Sequence, residues 1–480
     1  MTKLNGWKMA ATVFALCIAT VVAAHSQTFK TLANFSGTNG SGLGYMALVQ
    51  GTNGNLYGTT ETGGPNNDGT IFQLTPTGTL TTAHTFEGTD GARPLAGLLL
   101  ALDGSFYGTT SFGGDLSCSA GNSFGCGTAF RMSASGALTM LHVFEGIPND
   151  GQMPVGVLLQ ATNGNIYGTT ADGGAYGAGS IFKLSPAGDL TIWQSLVNEA
   201  TPYAGVIEGT NGDFYGTTSI GGYDYTSKLG CGTVYKIASG GTPIILHTFC
   251  SEAQCPDGAQ PYANLVQGTG GAFYGTTSLG GDFTCHAPDG CGTVFKITAG
   301  GTLTTLYTFE GADGAAPYAG LILATDGNFY GTTKLGGPNN DGTIFELTPE
   351  GVLTTLHTFA GTDGDVPNGG LLQATNGTLY GTTSIGGTSN NGTVFSFSNG
   401  LGPFVAFVRA VGKVGQTGGI LGQGFTGTTA VSLNGIPANF KVISDTYLAV
   451  TVPAGATTGY VKVNTPAGLL SSNVPFHVIP

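Results

Sequence analysis

Seven times this chain writes Tyr-Gly-Thr-Thr and follows it closely with a pair of glycines. The tyrosines are Tyr57, Tyr107, Tyr167, Tyr215, Tyr274, Tyr330 and Tyr380, at spacings of 48 to 60 residues. A period of that size is the mark of a propeller or another repeat array, in which one supersecondary unit is stacked many times. Each copy holds four short strand-like segments, exemplified by "GLLLALDG", "SFYGTT", "GTIFQLTP" and "LTTLHTF". Asn-Gly or Asp-Gly follows the first, Gly-Gly the second and a glycine-containing turn the third, as antiparallel hairpins require. Four strands per unit and seven units predict an all-β, seven-bladed β-propeller.

Alternation along "LYGTT" sends Tyr57 and Thr59 to one face of a strand and Leu56, Gly58 and Thr60 to the other. An aromatic on one face and a glycine on the opposite one would let neighbouring blades approach closely. The repeated tyrosines are therefore expected in the core. The register of the repeat is also offset. Residues 28–35, "TFKTLANF", copy the fourth segment, and the last unit stops after "GTVFSFS". The N-terminal segment should supply the missing strand and close the ring, leaving no open sheet edge.

The repeat unit "LYGTT…GG…GTIFQLTPTGTLTTAHTFEGTDG" resembles the GloVer repeat of exported choice-of-anchor tandem-repeat proteins, over about residues 28 to 398. The resemblance implies export and propeller-like repeats but little chemistry. Kelch blades share the period and the glycine doublet, yet they repeat a tryptophan, and after residue 26 this chain has only Trp193. The tail is similar to an IPT/TIG domain, an immunoglobulin-like fold, through "GQTGGILGQGF", "AVSLNG", "LAVTVPAGATTGYVKVNTPAG" and "SNVPFHV". Such domains serve as spacers or protein-contact modules. The expected organisation is a secretory signal at 1–26, propeller at 27–400 and the immunoglobulin-like domain at 401–480.

The signal has three parts: Lys3 and Lys8, an apolar run from Met9 to Ala23, and small residues at Ala24 and Ser26. The apolar run is short of the roughly 20 residues that span a bilayer. Removing it would take the net charge from −13 to −15 by loss of its two lysines. An acidic chain with 9% charged residues argues against nucleic acid as a partner. No membrane span is expected after the signal, which places the mature chain outside the cytoplasm, secreted or at the cell surface.

Chemistry is sparse. Asp90, Asp150, Asp257, Asp313 and Asp363 sit in Asp-Gly turns, and Asp103 and Asp326 in hairpin turns, where aspartate accepts local backbone hydrogen bonds. His84, His142, His247 and His357 recur at one place in the fourth segment, where Gln194 and Tyr307 stand in two other copies. That pattern suits a packed histidine and not a metal ligand. "PNNDG" lacks the ligand spacing of a calcium loop. No metal, cofactor or catalytic constellation is expected.

Loop lengths say more. Between the glycine pair and the next Gly-Thr or Gly-Ser, four units have four residues, but the second has twelve, the fourth nine and the fifth ten. These insertions should all emerge on one propeller face, where binding residues tend to lie. Tyr223, Tyr225, Phe283, His286 and Asp289 are the candidate ligand contacts, and aromatic, Asn/Asp-rich loops suit carbohydrate or a cell-surface protein. The leading reading is an exported non-enzymatic binding or scaffold protein. Its rivals are a propeller-based glycan hydrolase or lyase, with Asp224, Asp282 and Asp289 as loop acids, and a purely structural envelope component. Seven cysteines follow the signal. Cys118 with Cys126 and Cys285 with Cys291 bracket two long loops, while Cys250 could pair with Cys255 or, across a hairpin, with Cys231.

Overall fold

The structure is a computed structural model describing residues 27–479, apart from positions 46, 119–123, 149, 198–199, 223–230, 239–240, 253 and 287. The signal-like segment 1–26 lies outside the described residues, as do Tyr223, Asp224 and Tyr225. The described residues form strands and turns without a helix, and none of their segments is a helix long and apolar enough to cross a membrane.

Seven antiparallel sheets share one order, running from a two-residue inner strand to an outer strand. The fifth repeat is typical: Val266–Gln267, Phe273–Thr277, Thr293–Ile297 and Leu303–Thr308. The last sheet is completed by Thr28–Asn34, which pairs antiparallel with Thr393–Ser398. In every sheet the third and outer strands slip by one residue, a β-bulge that adds twist. Seven apolar clusters each join two successive sheets, and one of them joins the last sheet to the first. The packing therefore runs round a closed ring.

Each residue of the repeated tetrapeptide has an identifiable task. The tyrosine is buried in all seven copies and lies against the residue before the next repeat's tyrosine. Tyr215 meets Phe273 at 4.0 Å between ring centroids, and Tyr274 meets Phe329 at 4.1 Å. Its hydroxyl reaches back to the inner hairpin turn, as Tyr330 does to Asp326 at 2.7 Å. In five repeats the first threonine binds across to the following sheet: Thr276 donates to the Ala319 carbonyl at 3.1 Å and Thr332 to that of Gly369 at 3.1 Å. The second meets a hydroxyl of the third strand, as in Thr333 with Thr343 at 2.8 Å.

The glycine works differently from expectation. Gly331 faces Phe345 within its own sheet, and a Cβ there would stand 2.6 Å from the Phe345 ring and 2.9 Å from Leu321. Its missing side chain lets a cross-strand aromatic lie flat, and that flattened face then receives the neighbouring sheet. The clearance is inside the sheet, and the close approach between sheets follows from it.

On the face carrying the inner hairpin turns, a polar belt ties the sheets together. Gln373 accepts from the Thr325 amide at 3.0 Å and donates to its hydroxyl at 2.9 Å. Glu208 takes the Thr162 amide and hydroxyl at 2.7 and 2.6 Å, and Gln50 joins the first sheet to Thr375 of the last. The C-terminal residues sit against this face. They form two four-stranded sheets and a parallel pair, Val411–Lys413 with His477–Ile479, around one core that includes Val405, Phe425, Leu448 and Val463. Thr446 donates to the Thr52 carbonyl at 2.7 Å, and the Arg409 guanidinium to those of Ala161 and Thr162 at 3.3 and 3.4 Å. Leu421 and Tyr447 add apolar contact with the cluster around Tyr57.

Candidate functional site

The opposite face bears the loops between second and third strands, among them the fifth repeat's long insertion, and the connections from each outer strand to the next inner strand. Five of these connections begin at an Asp-Gly turn. One Asp313 oxygen accepts the Glu310 amide at 2.9 Å while the other takes the Tyr307 hydroxyl. In four other repeats the partner is histidine: His84–Asp90 and His142–Asp150 at 2.7 Å, His247–Asp257 at 2.8 Å and His357–Asp363 at 3.0 Å. The recurring histidines and turn aspartates are thus one structural device, which pins the connection to the outer strand. Burial holds His357 below the ordinary histidine value against the upward pull of Asp363.

The backbone then turns sharply. Arg93, Met153, Thr201, Gln260, Ala316 and Val366 all have φ between 37 and 57°, and each precedes a proline. A left-handed residue before proline is unfavourable, and such strain costs on the order of 1–3 kcal/mol. Hydrogen bonds on both sides hold it. The Ala316 amide donates to the Cys291 carbonyl at 2.9 Å, and the Lys334 amide to that of Ala316 at 3.1 Å. The kink aims the residue after the proline at the ring axis.

At that position stand Tyr203, Tyr262 and Tyr318, with Tyr45, Leu95, Val155 and Asn368 in the other repeats. All of these but Asn368, together with Lys334, line an axial cup of about 190 Å³. The tyrosines form an arc: ring centroids are 5.2 Å apart for Tyr203–Tyr262, 4.8 Å and stacked for Tyr262–Tyr318, and 6.0 Å for Tyr45–Tyr318. The Lys334 ammonium lies 4.7 Å from the Tyr318 ring centroid, a cation–π contact. Burial raises all four hydroxyls above the ordinary tyrosine value. They therefore stay protonated at neutral pH as donors, and that of Tyr262 donates to Gln260 Oε1 at 3.3 Å. A hydrogen bond with Ser278 pulls Tyr318 back down, and the charge of Asp289 adds a smaller upward push.

Of the loop candidates, Tyr223 and Tyr225 lie outside the described residues. Phe283, His286 and Asp289 share one loop braced by Cys285–Cys291, with the Asp289 amide on the His286 carbonyl at 2.8 Å. None of the three lines the cup. Asp282 accepts from the Thr284 amide and hydroxyl at 2.8 and 2.7 Å, which is turn chemistry and holds its carboxyl below the usual value. Cys118 is bridged to Cys126 and Cys250 to Cys255, and the Cys231 sulfur lies within 4.8 Å of both members of the latter pair. Three disulfides fit an extracytoplasmic protein. The tyrosine arc escaped the sequence reading, although Pro-Tyr at 202–203, 261–262 and 317–318 was there to be seen.

Closed sheets around an axis with one open end define a β-propeller, and solved structures share that fold. A catalytically inactive virginiamycin B lyase from Staphylococcus aureus with quinupristin superposes with a TM-score of 0.53 and 12% identity, over 78% of this chain and 99% of its own. A fungal alcohol oxidase of the AA5 family in complex with copper gives 0.51 and 13%, over 94% and 99%. At such identities the likeness shows the fold alone. The chain belongs to the Gloeobacter/Verrucomicrobia repeat family, whose profile matches residues 1–225, 116–286 and 223–432. No curated protein sequence matches it.

Proposed function

We propose that this is an exported, non-enzymatic binding protein. Its body is a seven-bladed propeller, its C-terminal unit an IPT/TIG immunoglobulin-like domain that acts as a base, and residues 1–26 its export signal. Ligand is taken on the loop-bearing face, and carbohydrate is the class that suits it. The tyrosine arc carries this reading. Four partly exposed aromatic faces with hydroxyls held as donors offer stacking and directional hydrogen bonds in one concave place. The long loops, with Tyr223, Tyr225, Phe283, His286 and Asp289, would add outer contacts.

Glycan-array binding by the chain without residues 1–26, run beside a polysaccharide-degradation assay, tests the proposal. Binding without product is expected, and product release would sink the non-enzymatic reading. Tyr262→Ala should weaken binding by at least about tenfold, the scale of a lost aromatic contact. Unchanged affinity would remove the cup from the site.

A further inference from the structure

The cup is not closed beneath. Tyr45 also lines a chamber of about 430 Å³ that runs down the axis. This size falls within the roughly 300–1,000 Å³ of small-molecule sites. Its wall comes from the inner strands, with Val266, Ile322 and Leu372 at equivalent places in three repeats and Leu265 and Leu323 beside them. The polar side chains on that wall are occupied elsewhere. Asn264 accepts from the Gly205 amide at 2.8 Å, Gln267 from that of Thr210 at 3.0 Å, and Gln373 from that of Thr325 at 3.0 Å. What faces the lumen is chiefly apolar. Asn473 and Val474 of the C-terminal unit line the end opposite the tyrosines.

We infer that the axis takes an anionic amphiphile, a carboxylate carrying a saturated acyl chain. The head would sit at the Lys334 ammonium and the tyrosine hydroxyls, and the chain would descend along Val266, Ile322 and Leu372. This rests on the reading of the cup as an open ligand site, and it names for the axis an occupant of another class than the carbohydrate proposed for the loop-bearing face. One observation and two chemical arguments select that class. Lys334 is the charged side chain lining the cup, whereas Arg93 and Glu61 nearby face each other at 3.9 Å. A carboxylate accepts from both an ammonium and a phenol, and such charge-assisted bonds are the strong ones. A neutral sugar alone would leave the apolar chamber unfilled, and an alkylammonium would set like charge beside Lys334.

The test is calorimetric titration of the full chain with hexanoate, octanoate and decanoate, the matching alcohols and decyltrimethylammonium. Each two-carbon step should tighten binding by up to about fourfold per methylene, from the transfer free energy of a buried CH₂. Decanoate should outbind decanol by about tenfold or more, and Lys334→Met should erase that preference while keeping the chain-length slope. Ile322→Trp, with its melting curve checked against wild type, should abolish the slope. A flat chain-length series, or decyltrimethylammonium binding as well as decanoate, would overturn the inference. If glycans bind in a Tyr262-dependent way and alkanoates do not, the acyl proposal falls and the cup stands. If neither binds, both fall.

Discussion

On the face with the short inner turns the repeats are nearly interchangeable, whereas on the opposite face adjacent repeats differ in length, bracing and chemistry. The first face repeats the same tyrosine-to-turn contact and the same Gln or Glu reaching to a neighbouring threonine, and it is covered by the C-terminal unit. The second varies its insertions from four to twelve residues, adds three disulfides and fills its axial position with four tyrosines, a leucine, a valine and an asparagine. Both faces grow from the same strands. Positions that bind sheet to sheet are held uniform because each must fit two neighbours, while positions at loop tips and the axial mouth fit none and are left to vary.

Substitutions can break that division in order of severity. Deleting residues 28–36 removes the outer strand of the last sheet together with Phe35, which packs on Phe72 at 5.1 Å. Cooperative thermal melting should vanish, and an unchanged melting curve would refute closure by this strand. Gly331→Ala forces a methyl against Phe345 and should lower stability by about 1–3 kcal/mol in urea unfolding, with no effect on a ligand bound at the cup. Glu208→Ala cuts one link of the polar belt and leaves the Thr162 amide short of a partner, at a cost of about 1–2 kcal/mol. If binding at the cup weakened as much as stability did, the two faces would not be separable.

The smallest effect is in pH. Burial lowers the His357 value in the folded state, so the folded chain takes up that proton less readily than the unfolded one. Stability is then full above the unfolded histidine value, near 6.5, and declines as pH falls below it. His357→Gln should narrow the gap in melting temperature between pH 7 and pH 5, and an unaltered gap would discard this account.

Much of the architecture was legible because it repeats. Seven tyrosines at similar spacing gave the sheets, and the stray fourth-strand copy at 28–35 gave its partner at 393–398. The role of Gly331 was harder, since it depends on which residue lies across the ladder, and register is not written in one strand alone. The tyrosine arc was hidden for another reason. Its direction is set by a left-handed residue before proline, filled by Arg, Met, Thr, Gln, Ala or Val, which share no side-chain property to announce the bend. The cysteines near 250 left two partners open because three sulfurs meet within 4.8 Å.

The pairing of Thr28–Asn34 with Thr393–Ser398 also sets a timetable. A polypeptide is made from its amino end, so the earliest segment waits for the latest repeat before its hydrogen bonds can be met. During that wait two strand edges stand bare, and such edges invite association between nascent molecules. The cell that makes this protein must bridge an interval whose length is fixed by nearly four hundred residues of synthesis, and the circle fastens in a single late event.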